Sequence, residues 1–137
     1  MMSGSNKNIA GNLMRISLLS VIIAIIPLQS NAQPEKKYIR QGNKEYGKEK
    51  FSESEVSYRR AVDYNNRSAD AVFNIGDALY KQNKYDEAAK HFTENLNMND
   101  DPERKSAGLY NLGNSLLQAD KLKESIEAYK SSLKLNP

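Results

Sequence analysis

The chain contains no cysteine and no tryptophan. Without a thiol there is no disulfide, no thiolate metal site and no cysteine nucleophile. The cysteine that anchors exported lipoproteins at a new N-terminus is missing as well. Histidine occurs once, as His91, so no second imidazole is available for a metal; it is expected on the outer face of a helix, turned away from any groove. A surplus of charge of one sign is also lacking. The formal charge is +3, and Lys7 and Arg15 supply two of the cations. Beyond residue 32 the chain has 18 Lys+Arg against 17 Asp+Glu, interspersed and with no basic stripe of the kind that tracks phosphates. No nucleic-acid partner is expected.

Long hydrophobic runs are equally scarce. One exists, Ile16 to Leu28, broken only by Ser17, Ser20 and Pro27. Its 13 residues fall short of the roughly 20 that span a bilayer core. Lys7 and Arg15 precede it without any acidic residue, and Ser30-Asn31-Ala32 follows. Basic, apolar, small-x-small is the order of a secretory signal. Residues 1–32 are therefore expected to be a signal peptide cleaved after Ala32, and residues 33–137 an exported, periplasmic domain. Retention of the leader as an anchor is the alternative. Met14 stands directly before Arg15 and the apolar run, so it is a candidate start beside Met1 and Met2.

What the chain does have is self-similarity, the feature to seek first. Three segments align: Tyr38 to Asn65, Val72 to Asn99 and Leu109 to Asn136. Gly42 and Gly76 lie 34 residues apart, and Gly76 and Gly113 lie 37 apart. The three extra residues are expected near Asp100-Asp101-Pro102, a turn-like stretch. Each segment reads as two helices. In the second, Val72, Ile75, Gly76 and Leu79 recur at helical spacing, Asn83-Lys84 interrupts, and Tyr85, Ala88, Ala89, Phe92 and Leu96 resume it. The third repeats this with Leu109, Leu112, Gly113 and Leu116, then Leu122, Ile126, Tyr129 and Leu133. No segment sustains the period-two alternation of a strand.

A glycine inside a helix costs about 1 kcal/mol relative to alanine, yet one occupies the same slot of all three first helices. Close approach of the second helix explains it. Ser54, Ala88 and Ser125 are small residues expected to face the glycines, and Tyr58, Phe92 and Tyr129 follow four residues later. These aromatics are expected to fill the space between neighbouring helix pairs.

On these residues the chain resembles the tetratricopeptide repeat, with its 34-residue period, helix-turn-helix unit and Leu-Gly…Ala…Phe…Pro landmarks. The resemblance covers about residues 35–137 as repeats of about 35–68, 69–102 and 106–137. It implies an all-α fold, an α-solenoid of three repeats and six helices. Departures are the missing tryptophans, the polar Gln41 and Glu45 where the first repeat should be apolar, and a closing proline only at Pro137. The first repeat is therefore expected to pack loosely or to act as an N-terminal cap.

The stretches RQGNKEYGKEKFSESEVSYRRAV and IEAYKSSLKLNP are further similar to the BatC-type exported proteins of the Bacteroides aerotolerance operon. That resemblance implies a role in oxygen and oxidative-stress tolerance beside membrane proteins with von Willebrand A domains. With no cysteine and no evident cofactor site, any redox role would be indirect. Those relatives continue past the final Asn-Pro with a further helix. The chain is thus expected to be a truncated form or a fragment, with Ile126, Tyr129 and Leu133 partly uncovered and available for self-association.

Stacked helix pairs form a superhelix whose concave face is made by the first helices. In the family that groove binds extended peptides or a partner helix. The expected groove residues are Ile39, Arg40, Asn43 and Tyr46, then Phe73, Asn74, Asp77 and Tyr80, then Tyr110, Asn111, Asn114 and Leu117. Asparagine amides both donate and accept, which suits a peptide backbone, and tyrosine adds apolar area with a polar tip. The chaperone-tail clamp of some relatives uses asparagines with lysines and an arginine. Asn43 and Asn74 match it, but Ile39 and Ala107 replace the lysines and Asn111 the arginine. The charge-assisted grip on a terminal carboxylate is therefore not expected.

Chemistry finds no foothold in the sequence. The serines have no paired base of the triad kind. Gly76 and Gly113 are isolated helix glycines rather than a phosphate loop. Asp100-Asp101 lacks the ligand spacing of a calcium loop, and Glu124 and Glu127 read as solvent-facing helix. The expectation is a scaffold for a protein or peptide, with no cofactor and no metal. A self-associating structural repeat or a periplasmic chaperone-like adaptor is the alternative.

Overall fold

The computed structural model describes residues 33–137; the expected signal peptide lies outside the described residues. The described chain is all helix and turn. In order come α1 (Pro34–Tyr46), α2 (Phe51–Tyr64), α3 (Ala69–Lys81), α4 (Tyr85–Met98), α5 (Pro102–Gln118) and α6 (Leu122–Leu135). Each helix packs on its chain neighbours, and α3 also touches α5. This is the expected solenoid of three antiparallel pairs.

The sharp turn inside each pair is one device used three times. Glu49, Asn83 and Asp120 hold left-handed φ values of 59°, 61° and 60°. Each sits seven residues after its repeat's helix glycine. The amides of Lys50, Lys84 and Lys121 donate back to the carbonyls of Glu45, Leu79 and Leu116, closing the six-residue ring of a Schellman motif. Glycine is the usual residue there, because a left-handed side-chain-bearing residue costs about 1–2 kcal/mol. This chain uses glutamate, asparagine and aspartate instead.

Gly42, Gly76 and Gly113 are where the two helices of a pair close in. A Cβ on Gly76 would stand 2.8 Å from Cε1 of Phe92, and one on Gly113 would stand 2.7 Å from Cδ1 of Tyr129. On Gly42 the same atom would stand 2.5 Å from Cε1 of Tyr58. The aromatics therefore lie on the glycine of their own pair, and Tyr58 also clusters with Ile75 and Leu79 of the next pair, filling the space between pairs there. The small residues do face the glycine helix. Ser125 Oγ donates to the Gly113 carbonyl at 2.8 Å.

The far ends of the pairs are tied by polar groups. Asn95 Nδ2 donates to the Ala69 carbonyl at 2.7 Å, and Ser132 Oγ donates to the Ser106 carbonyl at 2.8 Å. Both donors sit 19 residues after their glycine and both acceptors seven before it.

The apolar core is centred on the middle repeat: Ile75, Ala78, Leu79, Ala88 and Phe92 cluster with Tyr58. Burying a side chain such as Phe92 or Leu79 contributes roughly 2–3 kcal/mol. The polar departures of the first repeat have a use. Glu45 accepts from Ser57 Oγ at 2.6 Å and from Gln41 Nε2 at 3.1 Å, tying α1 to α2. The three extra residues of the last repeat lengthen α5 at its start instead of forming a longer turn. Pro102 opens this helix, and Asp101 caps it through the Glu103 amide at 3.3 Å.

Candidate partner-binding groove

The antiparallel pairing brings the first helices α1, α3 and α5 side by side, and two hollows open among their side chains. The larger, about 310 Å³, is lined by Ile39 and Asn43 of α1, by Ala69, Asp70, Phe73 and Asn74 of α3, and by Arg104 and Ala107 of α5. Asn95 and Asn99, from the end of α4, complete it. The smaller, about 180 Å³, is lined by Tyr46, Asp77, Tyr80, Lys81, Phe92, Asn111 and Asn114. Helical spacing explains the sharing: residues three and four apart on α3 present one stripe, which the flanking helices wall in.

Nine of the twelve residues expected at the groove line one hollow or the other. Arg40, Tyr110 and Leu117 line neither. Arg40 and Leu117 are exposed, and the Tyr110 ring leans on Tyr129 at 5.7 Å. The sequence reading missed Asp70, Lys81, Asn95, Asn99 and Arg104. Asn95 lies on a second helix and Asn99 caps its end, and the concave-face rule omits both. Arg104 sits on the extra first turn of α5, so the insertion displaced it from any repeat register.

The asparagines are not equivalent. Asn43 Oδ1 accepts from Tyr58 Oη at 2.7 Å, and Asn114 Oδ1 accepts from Tyr129 Oη at 2.6 Å. Both acceptor atoms are thereby turned to the helix pair, leaving the amide donors for the groove. Asn111 Nδ2 donates to Asp77 Oδ1 at 3.1 Å.

Charge is distributed unevenly. Arg104 Nη1 meets Asp70 Oδ1 at 2.7 Å, and its Nε lies 3.9 Å from Asp101 Oδ2. The one arginine of the larger hollow is therefore already paired. Burial pushes the Asp77 carboxyl up to about 6, against the pull of Lys81 and the Asn111 amide. Burial also raises the Tyr46 hydroxyl, with the Asp77 charge adding to it.

The clamp positions can now be placed. Ile39, Asn43, Asn74 and Ala107 line the larger hollow and Asn111 the smaller, with no lysine among the larger hollow's walls. His91 lies on α4 and lines neither hollow, as expected, but it is half-buried rather than exposed. Its side chain keeps 21% of its exposure, with Nδ1 3.5 Å from Glu94 Oε2. Burial and the nearby Arg59 hold its pKa below the usual histidine range. Among the described residues, no group of three or more acidic or histidine side chains is placed to hold a metal, and no helix is long and apolar enough to cross a membrane.

Models of the tetratricopeptide repeat match residues 39–96 and 106–137, together about two thirds of the chain. No curated protein sequence matches significantly. Solved structures do. The N-terminal domain of stress-induced protein-1 from C. elegans superposes with a TM-score of 0.72 at 17% identity, over 78% of this chain and 89% of that one. The first such domain of Spaghetti (RPAP3), bound to the HSP90 peptide SRMEEVD, gives 0.71 at 19% identity, over 80% and 85%. The translocator chaperone SycD of Yersinia enterocolitica gives 0.70 at 14% identity, over 78% and 79%.

Proposed function

Because this chain belongs to the tetratricopeptide-repeat family, we propose that it is an exported scaffold whose groove between α1, α3 and α5 holds a protein partner. One observation carries the reading: two hollows on one face, walled by asparagine amides and aromatic rings from three repeats. Fold neighbours that hold peptides support it, as in the complex with SRMEEVD. The leader-like order of residues 1–32 supports export to the periplasm. The similarity to the BatC-type proteins suggests the setting, an envelope complex for oxygen tolerance with membrane proteins carrying von Willebrand A domains. The role is assembly rather than chemistry.

The partner differs from the acidic tails that the chaperone clamp grips, because Ile39, Ala107 and Asn111 leave no cation to hold a terminal carboxylate. Crosslinking and capture from host membranes tests the reading. The native chain is expected to retain a membrane partner that an Asn74→Ala, Tyr80→Ala, Asn111→Ala variant loses. Equal capture by both would remove the groove assignment.

A second reading rests on α6. Leu122, Ile126 and Leu133 are 58%, 43% and 63% exposed. An uncovered apolar stripe of this kind favours association of copies through the last helix. Size that grows with concentration, abolished by Ile126→Glu, is its signature.

A further inference from the structure

The residue after each helix glycine is Asn43, Asp77 or Asn114, and the ring facing that glycine is Tyr58, Phe92 or Tyr129. In the outer repeats the asparagine accepts the tyrosine hydroxyl. In the middle repeat both members change. The residue gains a charge and the ring loses its hydroxyl, so Phe92 offers Asp77 no donor. Among the described residues its one side-chain hydrogen bond comes from Asn111, on the next repeat, and reaches Oδ1. An ionised carboxylate has about four acceptor positions. Asp77 lines the smaller hollow together with Tyr46, Tyr80 and Asn114.

Among the described residues no cation makes direct contact with this charge, and Lys81 acts on it only from a distance. Among the described residues no ion pair within 4.0 Å reaches Asp77. Lys81 is one turn along α3, exposed at the rim. Arg104 is held by Asp70 and Asp101. A carboxylate kept half out of water without a counter-charge is unfavourable unless a partner supplies one. Burial raises its pKa accordingly. Aromatic rings are suited to the stem and head of a cation.

We propose that the smaller hollow seats one basic side chain, lysine or arginine, of the bound segment, with Asp77 as its counter-charge and the rings of Tyr46 and Tyr80 as its walls. The proposal rests on the groove reading above and gives it a polarity opposite to the chaperone clamp.

The test uses three peptides, acetylated and amidated, with one apolar and aromatic frame and a central lysine, norleucine or glutamate. Each is titrated into the isotope-labelled full-length chain and followed by amide and side-chain NMR shifts. The lysine peptide should bind at least about tenfold more tightly than the other two, a difference of about 1.4 kcal/mol. Its shifts should centre on the Asn111 amide and on Tyr46 and Tyr80. Asp77→Asn should bring the ratio of lysine to norleucine affinities to about one. Phe92→Tyr, which keeps the charge but offers it a hydroxyl, should lower that ratio without abolishing it. Dispersed spectra confirm that each variant folds. Equal affinity for lysine and norleucine would overturn the basic seat while leaving groove binding intact. A preference unchanged in both variants, or a preference for glutamate, would overturn it too. Lysine-peptide shifts confined to α6 would overturn the seat and the groove together.

Discussion

The middle repeat and its two neighbours share a backbone but differ at one pair of positions. In the outer repeats a tyrosine hydroxyl answers an asparagine across the helix pair, and the groove receives only amide donors. In the middle repeat a phenylalanine faces an aspartate one position from its glycine, and the groove receives a carboxylate. The fold tolerates both solutions because the ring, not its hydroxyl, fills the space over the glycine. The difference teaches that packing and recognition occupy the same slots here. The ring sets the helix spacing, and the residue beside the glycine is then free to face a partner.

The most damaging way to break the comparison is to attack what the repeats share. Gly76→Ala would drive a Cβ to 2.8 Å from the Phe92 ring. Overpacking of this kind costs about 2–3 kcal/mol net, despite a helix-propensity gain near 1 kcal/mol. Thermal unfolding should fall by about 10 °C or more, with partial recovery on adding Phe92→Leu. Gly47→Ala is the control. A Cβ there meets only the Asn43 and Lys44 carbonyls, at 3.5 and 3.8 Å, so it should be neutral or slightly stabilising.

Removing the difference should stabilise the protein. The Asp77 carboxyl titrates at about 6 when folded, against an ordinary 3.8. The folded state therefore holds this proton more tightly than the unfolded one. The native state is favoured below about pH 4, loses that advantage as pH rises to 6, and carries the full cost above. By linkage that cost is at most about 3 kcal/mol. Asp77→Asn should gain about 1–2 kcal/mol at pH 7 in urea unfolding and flatten the slope between pH 4 and 6. An unchanged slope would remove Asp77 as its source.

Smaller effects sharpen the contrast. Tyr58→Phe and Tyr129→Phe should each lose about 1 kcal/mol, the typical value of one hydrogen bond. Phe92→Tyr should gain about as much with Asp77 in place, where its hydroxyl can donate to the carboxylate, and a double-mutant cycle with Asp77→Asn would reveal the coupling. Smallest of all are the turns. Glu49→Gly should gain roughly 0.5–1 kcal/mol by relieving a left-handed glutamate, and Asn83→Gly less, because asparagine tolerates that conformation.

Much of this was legible in the sequence. Apolar spacing gave all six helices, and the repeated glycine placed the groove stripe on α1, α3 and α5 well enough for nine of twelve residues to line the hollows. The Asp77 and Phe92 exchange was visible in the aligned repeats as well. Its meaning was not, since only coordinates show that a ring 15 residues away reaches back to Asn43 and Asn114. Arg104 and Asn99 escaped because an inserted turn and a second helix fall outside the repeat register. The half-burial of His91 was not legible, because helical periodicity on α4 does not reveal how near Arg59 and Glu55 of the preceding pair come to it.

Site-specific photocrosslinking in the native host tests the central claim most directly. A photoreactive residue would replace Asn74 in the groove, Lys90 on the exposed face of α4, or Leu133 on α6. The account predicts one discrete partner protein trapped from position 74 and from neither of the others. The same partner trapped from 90 or 133 and not from 74 would contradict it.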